Sequence, residues 1–276
     1  MLRATVGLQG RPAHPGQSWS IPLTITLTPR GAAAPRYTLH TTTDVSGVLT
    51  LPDLAPGIYD IRVKGAHTLR NLLRDVNLAA GDNGRGLGWL AEGDVETATS
   101  ANQVTGADLA LLASAINRCA GDPGFVPNAD LDESGCVTMA DFGLLSGNYG
   151  RQGDVPAQLG GLPTDPGGQA LLAIEPAQLS VEQGQLVSVA VVLDPRGALA
   201  SGAMVRLRYD PASVEVVSVQ LGQRLSTVLQ QPLVDNRLGD LRLGAGLLAQ
   251  TIGEKITVAT LSLRLKSEAA PARSRR

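Results

Sequence analysis

The sequence predicts a mainly β, multidomain protein in which two β-sandwiches flank a small α-helical module. Short runs of alternating apolar residues fill both ends of the chain, as expected of sandwich strands. The 32 glycines and 17 prolines are spread among these runs and predict many turns. Helical spacing of apolar residues occurs only between the two ends, near residues 108–119 and after residue 141. The length of 276 residues fits about two or three domains.

Composition and charge restrict the classes of function. A hydrophobic content of 43% allows packed cores, which must be mainly aliphatic because aromatic residues make up only 3%. The net charge of −2 argues against a nucleic-acid partner. No run approaches the ~20 apolar residues of a membrane span. The amino terminus lacks the apolar core of a secretion signal, so either a signal has been removed or the chain is part of a longer protein.

The first predicted domain covers residues 1–82. Its alternating runs, each bounded by Gly, Pro or Asp, predict an antiparallel immunoglobulin-like sandwich and lie at residues 4–8, 21–27, 37–39, 48–51 and 59–63. Residues 43–51 and 54–65, with the pattern Leu-x-Pro-Gly-x-Tyr, resemble the carboxypeptidase regulatory-like family. The resemblance implies a non-catalytic, structural role. The Gly-rich residues 81–91 around Trp89 are interpreted as a junction.

Residues 130–141 have the pattern of a twelve-residue calcium loop that leads into a helix. Oxygen-bearing side chains occur at loop positions 1, 3, 5, 9 and 12, and Gly135 occupies position 6, where the chain must turn sharply. The predicted ligands are the side chains of Asp130, Asp132, Ser134, Thr138 (directly or through water) and Asp141, with the backbone carbonyl of Cys136. The sulfur of Cys136 plays no part because Ca²⁺ prefers oxygen. The alternative interpretation is an acidic surface turn.

An internal repeat predicts a second, altered copy of this unit. Residues 104–112 align with residues 137–145 at a spacing of thirty-three, and a helix is expected from Asp108 to about Cys119. Asp94 and Asp108 would begin and end the first loop, but they span fifteen residues instead of twelve, and Ala101 occupies a position that should be acidic. The first loop therefore either binds metal weakly or binds none, and we expect the second loop to bind Ca²⁺ more tightly.

Two features distinguish these units from complete EF-hands. Position 12 carries Asp instead of Glu, and the Pro-broken residues 124–128 are too short for an entering helix. A pair of loop–helix units with Leu-Leu after the final Asp resembles the dockerin family, which implies a module over residues 92–152. By position, the resemblance implies that the partner is contacted by Gly106, Ala107, Ala113, Ser114 and Arg118 in the first unit and by Met139, Ala140, Ser146, Gly147 and Arg151 in the second. The alternative is that these residues are ordinary helix surface.

The carboxyl-terminal part follows a Pro/Gly linker at residues 153–169. Strand-like runs lie at residues 171–174, 186–193, 204–209, 214–219, 241–248 and 256–265. Residues 182–191, 202–216 and 253–265 resemble the cohesin family, which implies a jelly-roll β-sandwich over residues 170–267, with a tail at 268–276, whose sheet face receives a dockerin. Cohesins usually continue with one or two more strands, so an exposed edge strand is expected. Either this copy is truncated, or an outside strand completes the sheet.

Together these resemblances imply a non-catalytic, calcium-dependent adaptor in an extracellular or cell-surface, cellulosome-like assembly. Its partners would be cohesin- and dockerin-bearing proteins, such as glycoside hydrolases or scaffoldins. A carbohydrate-binding accessory module is the alternative, although Trp19 and Trp89 are the only tryptophans available for a sugar platform. Cys119 and Cys136 fit either one disulfide or two thiols, and their location in one small module favours the bond.

Overall fold

The computed structural model describes residues 1–96, 102–154, 168–182 and 184–266. The chain forms two compact units, Met1–Thr164 and Asp165–Arg276. The described residues form fourteen β-strands and two α-helices, so the fold is mainly β. Neither helix has the length and apolar character needed to cross a bilayer.

The first unit begins with a sandwich of two sheets. Its strands are β1 (Leu2–Leu8), β2 (Pro22–Pro29), β3 (Tyr37–Thr42), β4 (Val48–Leu51), β5 (Gly57–Lys64), β6 (Asn71–Leu78) and β7 (Asn83–Leu90). One sheet has the order β4-β1-β7 and the other β3-β2-β5-β6. The inward residues of both sheets form one core that includes Leu2, Ile25 and Tyr59. Each of the five predicted alternating runs falls on one of the strands β1 to β5.

The last strand of this sandwich corrects the interpretation of residues 81–91 as a junction. Residues 83–90 form β7, which pairs in parallel with β1, and its Leu87 and Leu90 are fully buried. The glycines of β7 conceal the strand in the sequence because they add no apolar side chains to the alternating pattern. The Trp89 ring instead packs over Gly7, where an added Cβ would lie 2.4 Å from the ring. The sandwich therefore extends beyond residue 82.

Two short helices follow the sandwich within the first unit, α1 (Gly106–Ala115) and α2 (Met139–Asn148). They have the thirty-three-residue spacing of the sequence repeat, and each begins with a capping box, formed by Thr105 with Asp108 and by Thr138 with Asp141. Helix α1 ends before the predicted Cys119. The chain leaves the helical path after α1 because its backbone bonds to Val137. Asn117 N donates to the Val137 carbonyl and Val137 N donates to the Arg118 carbonyl, both at 2.8 Å.

The helical pair packs on the sandwich through α2. Asn148 donates from Nδ2 to Gln9 Oε1 (2.6 Å) and to the Glu92 carbonyl (2.8 Å). Leu144 lies over Gly10, where an added Cβ would be 2.5 Å from Leu144 Cδ1. Gly10 has a φ of +78°, so this close approach needs glycine for both its conformation and its size.

The second unit is a β-sandwich of its own. Its strands are β8 (Leu171–Glu175), β9 (Leu186–Asp194), β10 (Gly202–Arg208), β11 (Val214–Leu221), β12 (Thr227–Asp235), β13 (Asp240–Gly246) and β14 (Ile256–Leu265). The sheets have the orders β10-β13-β12 and β11-β14-β9-β8, and they share a core that includes Val191, Leu243 and Leu261.

Strand β12 is absent from the sequence prediction of this unit. It contains Gln230, Gln231 and Pro232, and its register against β13 shifts twice, so it has no clean alternation. At the end of the other sheet, β9 is the only strand that pairs with β8 in the described part of the chain, and Leu171, Leu172 and Ile174 are about 40% exposed.

Candidate calcium centre

The structure brings three of the predicted ligands together. Ligand atoms of Asp130, Asp132 and Asp141 all lie within 4.8 Å of one another. A single 3₁₀ turn, Pro127–Ala129, leads directly into Asp130, and the first turn of α2 supplies Asp141. Asp141 is fully buried and Asp130 is 6% exposed, so most of this acidic cluster is shielded from bulk water.

Backbone hydrogen bonds fix the Asp130 carboxylate in the loop. Its Oδ1 accepts from Ser134 N (3.0 Å), and its Oδ2 accepts from Gly135 N (2.8 Å). Asp132 Oδ1 also accepts from Ser134 N at 3.0 Å. Gly135 has a φ of +92°, the left-handed conformation that glycine adopts without strain. The sharp turn expected at loop position 6 is therefore present.

Asp141 connects the loop to the helix. Its Oδ1 accepts from the backbone N–H groups of Leu131 (2.6 Å) and Asp132 (3.1 Å). Its Oδ2 accepts from Thr138 N (2.7 Å) and Thr138 Oγ1 (3.2 Å), which completes the cap of α2. One carboxylate thus stabilises both the closure of the loop and the start of the helix.

The three carboxyl groups lie close together where little water reaches them, and this raises the pKa values of Asp130 and Asp141. Burial raises the pKa of Asp130 to about 6, and the neighbouring charge of Asp141 adds to the shift. Burial likewise raises the pKa of Asp141, with Asp132 contributing. No ion pair to these three carboxylates occurs in the described part of the chain. A bound cation would remove the repulsion, and all of the predicted ligand atoms are oxygens, as a hard ion such as Ca²⁺ requires.

The remaining predicted ligands have other contacts. Ser134 Oγ donates to the Cys136 carbonyl at 3.2 Å. The Thr138 hydroxyl caps α2, accepting from Ala140 N at 3.1 Å. Cys136 forms a disulfide with Cys119, which joins the loop to the segment after α1 and excludes its sulfur from metal binding.

The sequence analysis missed a charged cluster from the sandwich that contacts this loop. Arg11 donates from Nη1 to the Leu131 carbonyl (2.5 Å), and its Nη2 lies 3.5 Å from Glu92 Oε1 and 3.7 Å from Glu133 Oε1. His67 bonds to Glu92 through Nδ1 (2.6 Å) and to Glu133 through Nε2 (3.4 Å). Arg11 and Glu92 have fully buried side chains. No local sequence signal marks these residues, because they come from separate segments of the sandwich.

The first loop presents a different arrangement. Asp108 is fully buried, and its Oδ1 accepts from Glu96 N (2.7 Å). Its Oδ2 accepts from Thr105 N (2.7 Å), as Asp141 Oδ2 accepts from Thr138 N after the second loop. Asp94 is also fully buried, and its Oδ2 accepts from Asn102 N at 2.9 Å. The same Oδ2 contacts the Lys64 ammonium. Residues 97–101, which include the rest of the predicted loop, lie outside the described residues.

The predicted partner-contacting residues lie at the helix starts and ends, and one prediction among them is wrong. Six of the ten are exposed: Gly106, Ser114, Arg118, Ala140, Gly147 and Arg151. Ala107, Ala113 and Met139 are partly buried. Ser146 is fully buried and cannot contact a partner. The equivalent Ala113 of α1 remains half-exposed.

Comparison with known proteins gives weak structural likenesses. No family model and no curated protein matches the chain. Similar solved structures include a C-terminal interface mutant of a type II cohesin–X–dockerin complex from Acetivibrio cellulolyticus, at 16% identity and a TM-score of 0.45, covering 55% of this chain and 96% of that one. A non-cellulosomal cohesin from Archaeoglobus fulgidus is similar at 18% identity and a TM-score of 0.24, covering 30% and 56%. Another is CaCohA2 from Clostridium acetobutylicum, at 15% identity and a TM-score of 0.29, covering 37% and 68%.

Proposed function

We propose that this chain is a non-catalytic, calcium-dependent adaptor in which the helical pair docks to one protein and the second unit receives another. The loop–helix pair acts as a dockerin-like module and the second unit as a cohesin-like one. The setting is an extracellular or cell-surface assembly of polysaccharide-degrading enzymes. The partners are then cohesin-bearing scaffold proteins on one side and dockerin-bearing proteins, such as glycoside hydrolases, on the other.

The observation that carries the proposal is the second loop. Three carboxylates converge within 4.8 Å at the start of a capped helix, and no ion pair in the described part of the chain neutralises them. Such convergence is costly without a cation, so calcium binding would contribute folding free energy to the loop and to α2. Residues at the ends of α2, such as Ala140 and Arg151, would then be ordered together with the ion.

The exposed ends of the two helices support docking to a protein surface. Arg118 and Arg151 are exposed at equivalent places after α1 and α2, and small residues such as Ser114 and Gly147 are exposed beside them. Arginine is among the residues enriched in protein interfaces, and small neighbours allow close approach.

In the second unit, the β10-β13-β12 sheet offers a candidate receiving face. Leu233 of β12 pairs in register with Arg242 of β13, which pairs with Arg206 of β10. Leu233 is 59% exposed. Arg206 and Arg242 both contact Asp240, at 2.8 and 2.7 Å, so their guanidinium groups are held in place. An exposed leucine beside ordered arginines fits a protein partner with an apolar centre and an acidic rim.

The aromatic residues do not favour the carbohydrate-binding alternative. Trp19 is 4% exposed and donates from Nε1 to the Pro12 carbonyl at 2.8 Å. The Trp89 ring packs on Gly7. The Trp19 indole is therefore buried in the sandwich, whereas the Trp89 indole is partly buried and has one face covered by Gly7, so neither ring offers a fully exposed platform for a sugar.

The full chain tests the proposal in binding measurements against a panel of purified cohesin and dockerin modules, with calcium or with a chelator. We expect at least one cohesin to bind in calcium, and the binding to be lost in chelator and in Asp132→Asn. Asp82→Asn, which changes an exposed carboxylate of the sandwich, is the matched control and keeps binding. Binding that is equal with and without calcium would contradict the proposal.

A further inference from the structure

Asp94 occupies the same place in the first loop as Asp130 in the second. Asn102 and Gly135 are thirty-three residues apart, like the helices that follow them, and both have positive φ angles, +68° and +92°. Asn102 N donates to Asp94 Oδ2 at 2.9 Å, as Gly135 N donates to Asp130 Oδ2 at 2.8 Å. The two aspartates thus accept equivalent backbone bonds.

The surroundings of these two aspartates differ. Asp130 Oδ1 accepts from Ser134 N at 3.0 Å, whereas Asp94 Oδ1 is buried without a hydrogen-bond partner among the described residues. Lys64, at the end of β5, donates from Nζ to Asp94 Oδ2 and also to the Thr68 carbonyl, the latter at 2.6 Å. The Asp94 side chain is fully buried and the Lys64 side chain is 22% exposed. The second-loop carboxylates have no such basic neighbour among the described residues.

A calcium ion at Asp94 would have to compete with this ammonium group. Two cations on one buried carboxylate repel each other strongly, because little water is present to screen them. Among the described residues, only the second-loop acids form a cluster of three possible ligands. The described residues of the first loop therefore do not fit a calcium ion as those of the second loop do.

We propose that the Lys64 ammonium is the permanent cation of the first loop, so that this chain binds one calcium ion, at the second loop. The two loop–helix units then differ in the cation that each one holds. The first is held closed by an ion pair with the sandwich whether or not calcium is present, and the second closes with the ion. The inference deepens the proposed function, since it assumes that the second loop binds calcium.

The test counts calcium ions bound to the full chain at saturation, by equilibrium dialysis. We expect one ion in the unmodified chain, one in the double variant Lys64→Met/Asp94→Asn with its Kd changed by no more than about twofold, and none in Asp132→Asn. The double variant removes both charges and so leaves no unpaired ion in the interior. Two ions in the unmodified chain, with one lost in the double variant, would overturn the inference.

A chain that binds no calcium would refute the proposed function but still leave the lysine pair open to a separate test. Melting temperatures in chelator are compared for Lys64→Met, Asp94→Asn and the double variant. If Lys64 is the cation of the loop, each single variant leaves a buried charge unpaired, and the double variant loses less than the sum of the two. Simple additivity of the losses would overturn the inference.

Discussion

Arg11 Nη1 donates to the backbone carbonyl of Leu131 at 2.5 Å, which fixes the second position of the calcium loop to the sandwich. The guanidinium group is fully buried, and Glu92 balances its charge at 3.5 Å. The loop is therefore supported from outside its own module. Its conformation depends on Arg11, which precedes it by more than a hundred positions.

Replacing Arg11 tests this support. Arg11→Met removes the donor to Leu131 and leaves the buried Glu92 with His67 as its one remaining ion-pair partner among the described residues. We expect a loss of about 3 kcal/mol or more in unfolding free energy, and weaker calcium binding because the loop is less well ordered. Chemical denaturation and calcium titration calorimetry measure the two effects. Arg3→Met, on the exposed face of β1, is the control, and an equal loss in both variants would contradict the assigned role.

Stability should depend on pH through His67. Burial disfavours its charge, but the attraction of Glu92 and the hydrogen bonds that His67 donates to Glu133 and Glu92 outweigh this effect and raise the pKa to about 9. Because the folded pKa lies above the unfolded value of about 6.5, the contribution is fully present below pH 6.5 and is lost as the pH rises through 9. Melting temperatures from pH 6 to 10 should fall more steeply for the unmodified chain than for His67→Gln. Parallel curves would contradict this prediction.

Variants of Asp132 and Asp141 should distinguish the loss of metal binding from the loss of helix capping. Asp141→Ala removes the partner of four donors and the cap of α2, so it should lower stability by at least about 1 kcal/mol even in chelator. Asp132→Asn relieves repulsion within the cluster, so its stability in chelator should be unchanged or slightly higher, while the stabilisation by calcium is lost. Thermal unfolding with and without calcium distinguishes the two. Equal behaviour of the variants in chelator would show that Asp141 has no capping role.

The disulfide between Cys119 and Cys136 should stabilise the second loop. It closes a loop of sequence separation 17, and such a crosslink contributes about 3 kcal/mol in the chain-entropy account. We expect Cys119→Ser/Cys136→Ser to unfold at lower denaturant concentration and to bind calcium more weakly, because the Cys136 carbonyl lies at loop position 7. Unchanged calcium affinity would show that the loop is ordered without the crosslink.

The local features of the site were predictable from the sequence, whereas its surroundings were not. The turn at Gly135 and the converging Asp130 and Asp141 follow from residue types at fixed spacing within twelve positions. Nothing local indicates that Lys64 pairs with Asp94, because that contact depends on how the sandwich packs against the loop. Ser146, which a helix pattern alone leaves on the surface, is fully buried.

The strands show a similar division. Strands with clean alternation, such as β1 and β5, were visible in the sequence because one face enters the core. Strand β7 was hidden by its glycines, and its parallel pairing with β1 joins residues about eighty positions apart. Strand β12 was hidden by polar residues and two register shifts. A long-range partner therefore determines β7, whereas β12 is paired in a hairpin with the next strand, β13.

Calorimetric titration of the full chain with calcium at neutral pH tests the central claim most directly. The account predicts a single binding event that Asp132→Asn abolishes and Asp82→Asn preserves. It also predicts that calcium at about 100 times its Kd raises the unfolding free energy by about 2.7 kcal/mol. Absence of a binding event, or binding that persists in Asp132→Asn, would contradict the assignment of the second loop as the calcium centre.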